Sequence, residues 1–568
     1  MFDYKLIKKR NNYYQLSLSR WLVSLGLGVS ATAVMAMPLK AAEKIYFYYS
    51  PLIDSLRISS LETFAESGKI NKDLGFYLNL AGTKKRERKL FRELLTKRIE
   101  VEPVVLSRLL NTDEGERLLN FFGELINIQG GSNGKYALRG AIISSAFDSE
   151  GLTLLNLLRN LGTNIQLDLN KAISFQKDLE LIVQATRQFA TEIAQLSAQE
   201  IAKESGANFA QLPDLRRMGT YDIKQQTWNL TDTSRDRKLY VNVYRPERWR
   251  PGKTPVVIIS HGLSSKPEEF ADKAKHLASY GFFVVLPQHP GSDAQYAQEF
   301  RTGYHRDLSS LNSFIDRPLD ISYTLDILEK RNSTDFDSRL DLENVGIYGH
   351  SYGGYTALAV AGASPTPNFE QLERDCDREL LALNTALFLE CRALKLERQD
   401  YNFRDERIQA VIANNAVNAS IFGEQGLSQI QIPVALGAGS YDPATPFVFE
   451  QARSFPWLDS SERYLVLEQG ETHIDLSKLD GGASRLLKMV PKLQLPSPQL
   501  ISEYGKALTL AFFEVHIANN ADYQPYLQPS YASYLSEGEE FKTYMITGAS
   551  TESLTQAIEQ WKKEHDVD

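Results

Sequence analysis

Cysteine is nearly absent. The chain has two in 568 residues, Cys376 and Cys391. They cannot build a zinc site by themselves, and they do not form a C-x-x-C redox pair. A basic excess is also lacking: 63 Lys and Arg stand against 71 Asp and Glu, a formal charge of -8. Nothing in that balance suggests a nucleic-acid binder, because phosphate contacts need a basic face, so no nucleic-acid partner is expected. Histidine is scarce, with eight copies, which makes elimination among them practical. The sequence contains no internal repeat and no low-complexity tract, and it has a single long uncharged apolar run.

That run is at the N-terminus. Lys5, Lys8, Lys9, Arg10 and Arg20 precede an uncharged stretch from Trp21 to Met37, followed by Pro38 and the small residues Ala41 and Ala42. A basic region, an apolar region and small residues in that order read as an export signal over 1–42, cut after Ala36 or within 39–42. The alternatives are an uncleaved anchor formed by 21–37, for which the run is short, or a chance hydrophobic helix. Export to the periplasm or the medium would allow Cys376 and Cys391 to form a disulfide; two buried free thiols are the other possibility.

The length is too great for one ordinary domain and points to two or three. From about 45 to 210 the apolar spacing is helical. Ser59 and Glu62 fit a capping box closed by Gly68. Leu90, Phe91, Leu94 and Leu95 share a face, as do Leu118, Leu119, Phe122, Leu125 and Ile126. Further helices fit 136–147, 152–161 and 171–204. The expectation is an all-helical domain. From 215 to 568 short β-branched runs alternate with helical patterns, as in a mostly parallel sheet with crossover helices. Strands are expected at 238–244, 255–260, 282–286, 345–348, 408–413, 433–436 and 463–467. The fold class is therefore α/β, a mostly parallel sheet flanked by helices and preceded by a helical domain.

Two G-x-S-x-G matches occur. Gly130-Gly131-Ser132-Asn133-Gly134 lies between helical segments and reads as a flexible loop. Gly349-His350-Ser351-Tyr352-Gly353 follows the buried run VGIY and leads into a helix of small residues. That strand–turn–helix holds a serine hydroxyl exposed in a strained turn, so Ser351 is the candidate nucleophile. A serine hydroxyl needs a base. His350 adjoins it and points the wrong way. His261, His276, His289 and His305 precede it in sequence, His516 falls in a helix and His565 in the tail. His473, after the last parallel strand, fits the chain order Ser, acid, His. Asp442, after the run 432–439, is the expected acid; Glu468 and Glu471 are rivals that crowd the histidine. The backbone amides of Leu263, in the loop after PVVIIS, and of Tyr352 are the expected oxyanion donors.

These residues resemble known families. S-H-G-L-S-S at 260–265, L-P-Q-H-P-G-S-D at 286–293, R-P-L-D-I at 317–321 and G-H-S-Y-G-G at 349–354 are similar to the platelet-activating-factor acetylhydrolase and dienelactone-hydrolase branches of the α/β-hydrolases. The dienelactone-hydrolase type uses a cysteine where this chain has Ser351. The whole layout resembles exported bacterial hydrolases with an N-terminal helical domain. The resemblance implies a serine hydrolase acting on a lipid or short-acyl carboxylic ester through an acyl-enzyme. No metal or organic cofactor is required, and contact with a membrane surface is possible. A secreted prolyl-oligopeptidase-like peptidase, or a binding protein on a hydrolase scaffold, are the alternatives. The stretch 364–407, which carries both cysteines, is a candidate lid.

Overall fold

The computed structural model describes residues 41–363, 368–378, 383–474 and 494–567. The export segment therefore lies outside the described residues, as does part of the 364–407 stretch. No helix among the described residues is long and apolar enough to cross a membrane.

The chain divides into two compact units, the first running to Leu181 and including Gln298–Leu308. The division falls inside the long helix Leu169–Ile201 rather than near 210. The second half of that helix carries Phe189, whose ring lies 6.0 Å from that of Trp561. It also carries Glu200, which accepts from the Thr547 amide at 3.0 Å. These contacts tie it to the C-terminal part of the chain.

The first unit is not all-helical, which corrects the expectation from periodicity. It holds a four-stranded sheet in the order β2-β1-β4-β3, formed by β1 (Lys44–Tyr49), β2 (Leu52–Arg57), β3 (Ile126–Ile128) and β4 (Ile165–Asp168). β1 pairs antiparallel with β2 and parallel with β4. The strands escape a pattern reading because they are three to six residues long and β2 is mostly exposed. Helices such as Lys85–Thr96, Asp113–Leu125 and Lys135–Phe147 pack Leu95, Leu119, Leu138 and Ile142 into one core. The Ser59 capping box is not formed. Helix Ile58–Ser67 starts two residues earlier, with Arg57 as its N-cap, so Ser59 is already inside it, and Glu62 bonds Arg159 instead. Gly68 does end that helix, in the left-handed conformation at φ 76°.

The second unit is the α/β-hydrolase fold. Its nine-stranded sheet has the order β13-β12-β11-β10-β9-β7-β8-β6-β5. In chain order the strands are β5 (Ile223–Asp232), β6 (Arg237–Pro246), β7 (Thr254–Ser260), β8 (Phe283–Pro287), β9 (Leu340–His350), β10 (Ile408–Asn414), β11 (Val434–Gly439), β12 (Arg463–Glu468) and β13 (Thr543–Thr547). β7 to β12 are mutually parallel, as fully buried runs such as TPVVIIS and FVVLP require. The seven expected strands are present. The edge strands β5 and β13 went unread because β5 has a largely exposed polar face and β13 is only five residues long with a threonine at each end.

Candidate active site

β9 is buried from Val345 to Gly349 and delivers Ser351 into a turn before helix Tyr352–Val360. Ser351 has φ 58° and ψ -121°, a strained conformation for a residue with a Cβ. Neighbours over-determine it: the Ser351 amide donates to the Asn414 carbonyl at 3.0 Å, and the Gly354 amide donates to the Ser351 carbonyl at 2.8 Å. The flanking glycines are steric necessities. A Cβ on Gly349 would collide with the Gly353 carbonyl, and one on Gly353 with the Ser260 carbonyl. Ser351 thus sits where β7, β9 and the elbow helix converge.

Asp442 follows β11 in an Asx turn. Its Oδ1 accepts from the amides of Ala444 at 2.7 Å and Thr445 at 2.9 Å, and its Oδ2 accepts from Thr445 Oγ1 at 2.8 Å. His473 follows β12. Its Nδ1 lies 2.6 Å from Asp442 Oδ2, and its Nε2 lies 2.8 Å from Ser351 Oγ. The carboxylate can only accept, so Nδ1 carries the proton and Nε2 is free to accept from the serine. The two loops are zipped together: the Ser440 amide donates to the Glu468 carbonyl at 3.1 Å and the Tyr441 amide to the Glu471 carbonyl at 3.0 Å. Gly439 permits this approach, since a Cβ there would lie 2.6 Å from the Glu471 carbonyl oxygen.

The rival acids are elsewhere. Glu468 and Glu471 line a cavity of about 310 Å³ between the sheet and helix Pro498–His516, together with Lys273, Tyr348 and His350. Burial pushes Glu468 up to about 8 and Lys273 down to about 8. Burial, with the charges of Glu468 and Asp442, raises Glu471 too. Burial and the neighbouring His473 hold His350 down to about 3, so it stays neutral. The second G-x-S-x-G copy follows the short strand β3, a correction to its reading as a loop between helices, and its Ser132 is exposed.

Of the expected oxyanion donors, Tyr352 directly follows Ser351 and Leu263 lies one residue beyond Gly262, which approaches Ser351. Tyr352 opens the elbow helix, where the first amides have no intrahelical acceptor. Leu263 follows Gly262, and a Cβ on Gly262 would lie 3.2 Å from Ser351 Cβ.

Sequence reasoning missed a buried polar network beneath this site. Ser260 Oγ lies 3.0 Å from His289 Nε2, and His289 Nδ1 lies 3.1 Å from Asp320 Oδ2. This repeats the Ser–His–Asp connectivity with three side chains that are 0% exposed. Arg237 and Arg235 both bond Asp320, at 2.7 and 3.0 Å. Arg317, one turn before Asp320, is also fully buried. The signal was in the sequence, as the motifs at 260–265, 286–293 and 317–321, but nothing in their spacing showed that they meet.

Comparison with known families agrees with this architecture. A family model described as an alpha/beta hydrolase of unknown function (DUF1400) matches residues 41–168. Residues 213–371 are similar to the chlorophyllase family, and that segment spans β7, the elbow and Ser351. Together these matches support a hydrolase of esterase-like type. No curated protein matches the chain. The DUF1400 match covers most of the first unit, not the segment that carries Ser351.

Cys376 and Cys391 are joined in a disulfide. The residues it brackets reach the acid loop: Thr385 Oγ1 donates to the Pro443 carbonyl, next to Asp442.

Proposed function

We propose that this protein is a serine hydrolase that cleaves a carboxylic ester, with Ser351 as nucleophile, His473 as base and Asp442 as the acid that orients it. The observation that carries the reading is the pair of hydrogen bonds, 2.8 and 2.6 Å, that run from the strained elbow serine through His473 to Asp442. In this reading His473 Nε2 takes the Ser351 proton as Oγ attacks the ester carbonyl. The amides of Tyr352 and Leu263 hold the oxyanion. Collapse of the tetrahedral intermediate expels the alcohol, which takes the proton from His473. Water then attacks the acyl-enzyme by the same steps, releasing the acid and restoring Ser351.

The substrate is a lipid or short-acyl ester. Tyr441 and Ile474, the chain neighbours of Asp442 and His473, are 49% and 51% exposed, which supports an apolar surface near the site. The esterase-like family match points the same way. The disulfide is consistent with an exported protein.

The test is hydrolysis of p-nitrophenyl esters from acetyl to palmitoyl, beside dipeptide amides, with Ser351→Ala and Ser132→Ala. Ser351→Ala should lose at least about 10⁴-fold in rate, and Ser132→Ala should match wild type. A Ser351→Ala protein retaining a tenth of the wild-type rate would overturn the assignment. Turnover of amides alone would make it a peptidase.

A further inference from the structure

We infer that Arg317 is a positioning residue for the oxyanion site, fastening the loop after β7 to the first turn of the elbow helix so that the Leu263 and Tyr352 amides converge. The inference rests on the ester-hydrolase reading above.

Arg317 lies near the start of helix Ser313–Asp335 and is 0% exposed. Its guanidinium joins three chain segments. Nη2 donates to the His261 carbonyl and, at 3.3 Å, to Ser260 Oγ. Nη1 donates to Ser292 Oγ at 2.8 Å, and Nε donates to Thr356 Oγ1 at 2.9 Å. The Thr356 hydroxyl in turn donates to the Tyr352 carbonyl at 3.0 Å. The guanidinium carbon also sits 4.7 Å from the centre of the Tyr352 ring. One side chain therefore grips the residue two before Leu263 and, directly and through Thr356, grips Tyr352.

The acceptors are neutral oxygens, which is an expensive way to bury a cation if packing were its only purpose. The buried Ser260–His289–Asp320 chain explains why the arrangement holds. Asp320, bonded by Arg235 and Arg237, is an acceptor, so His289 donates from Nδ1 and accepts the Ser260 hydroxyl at Nε2. Ser260 Oγ is then left as an acceptor for Arg317. His261 is fixed in the same way: its Nε2 accepts the His289 amide at 3.1 Å, so its Nδ1 donates to the Gly262 carbonyl at 2.8 Å. Each hydrogen bond on the loop before Leu263 thus has a single direction. Burial pulls Arg317 down only to about 10, so it remains charged at neutral pH. A fixed positive charge behind two amide donors also favours negative charge developing in front of them.

The experiment compares Arg317→Met and Arg317→Lys with wild type. Rates are expressed per active site titrated with a fluorophosphonate, so any unfolded fraction divides out. Arg317→Met should lower kcat about 10²-fold with KM within about threefold, and should weaken a trifluoromethyl ketone, whose adduct bears the oxyanion, in proportion. Arg317→Lys keeps the charge but cannot span the same acceptors, and should lose about tenfold in kcat. A kcat per titrated site within threefold of wild type in Arg317→Met, or a loss confined to KM, would overturn the inference. Should Arg317→Met not fold, Arg317→Lys decides, and a kcat within twofold of wild type counts against it. Ser351→Ala is run in the same assay. If it stays active, the hydrolase reading fails and takes this inference with it; if it is dead while the Arg317 variants are normal, only the positioning role fails.

Discussion

Asp442 and Glu471 are both acids within reach of the histidine in sequence, and their surroundings give them opposite expectations. Asp442 accepts from His473 Nδ1 while its other lone pairs are filled by Ala444 and Thr445. Asp442→Asn would keep the acceptor for those amides and turn an NH₂ group towards His473. Nδ1 must then give up its proton, which moves to Nε2, and Nε2 can no longer accept from Ser351. The ester rate at neutral pH should fall about 10³–10⁴-fold. Glu471 is half-buried, and desolvation with the charges of Glu468 and Asp442 pushes it towards its neutral form. Glu471→Gln is close to isosteric with that neutral form, so the rate should stay within about threefold of wild type. Rate measurements on the two variants check the pair; the reverse ranking would mean that the acid is misassigned. At this scale the meeting of Ser351, His473 and Asp442 was legible in the sequence, because the order of strands and the position after each strand are visible in one dimension. Arg317, His289 and Asp320 were not legible as a unit, because they meet only through the packing of β7, β8 and a crossover helix.

Among the elements, the elbow and the disulfide-bracketed segment make the strongest demands. The elbow helix lies so close to β7 that Gly353 has no room for a side chain, its Cβ direction being blocked by the Ser260 carbonyl. The obstacle is backbone and cannot swing aside. Gly353→Ala should therefore destabilise the second unit by about 3 kcal/mol or more, read as a lowered denaturation midpoint, and should displace Ser351 as well. An unchanged midpoint would show that helix and strand can separate without cost. The disulfide closes a loop of 15 residues in sequence separation, for which chain entropy gives about 3 kcal/mol. Replacing both cysteines with Ala should lower the midpoint accordingly, and should lower ester turnover too, because Thr385 within that loop bonds the Pro443 carbonyl beside the acid. Turnover unaffected by a loss of stability would separate the loop from the acid. Buried parallel strands were readable from their apolar runs, and the long helices from their spacing. The small sheet of the first unit was not. Three-residue β3 and largely exposed β2 give no periodic signal, and they exist because pairing, with distant β4 for β3 and in a local hairpin with β1 for β2, satisfies their backbones.

For the whole molecule, acid stability is set by histidines that the fold buries in neutral form. Burial holds His276 and His516 down to about 4 and His350 down to about 3. His276 Nε2 donates to the carbonyls of Leu215 and Arg217, at 2.9 and 3.0 Å. His516 Nε2 lies 3.2 Å from the Tyr464 hydroxyl, on helix Pro498–His516. An unfolded chain takes protons on these rings near pH 6.5, which the folded state refuses until about pH 4. In that window the unfolded state binds more protons, so stability is complete above about 6.5 and is lost as pH falls towards 4. Glu468 works in the opposite sense. Burial raises it to about 8 in the fold, whereas the unfolded side chain loses its proton near pH 4.3. Between those values the folded state binds the extra proton, so this residue adds stability as pH falls. Unfolding midpoints measured from pH 7.5 to 4.5 should therefore drop for wild type, drop more gently for His276→Asn, and drop more steeply for Glu468→Gln. The comparison uses slopes, so a lower starting stability of either variant does not matter. Were His276→Asn to show the wild-type slope, the ring would already be protonated in the folded protein, and its two carbonyl contacts would need a different explanation.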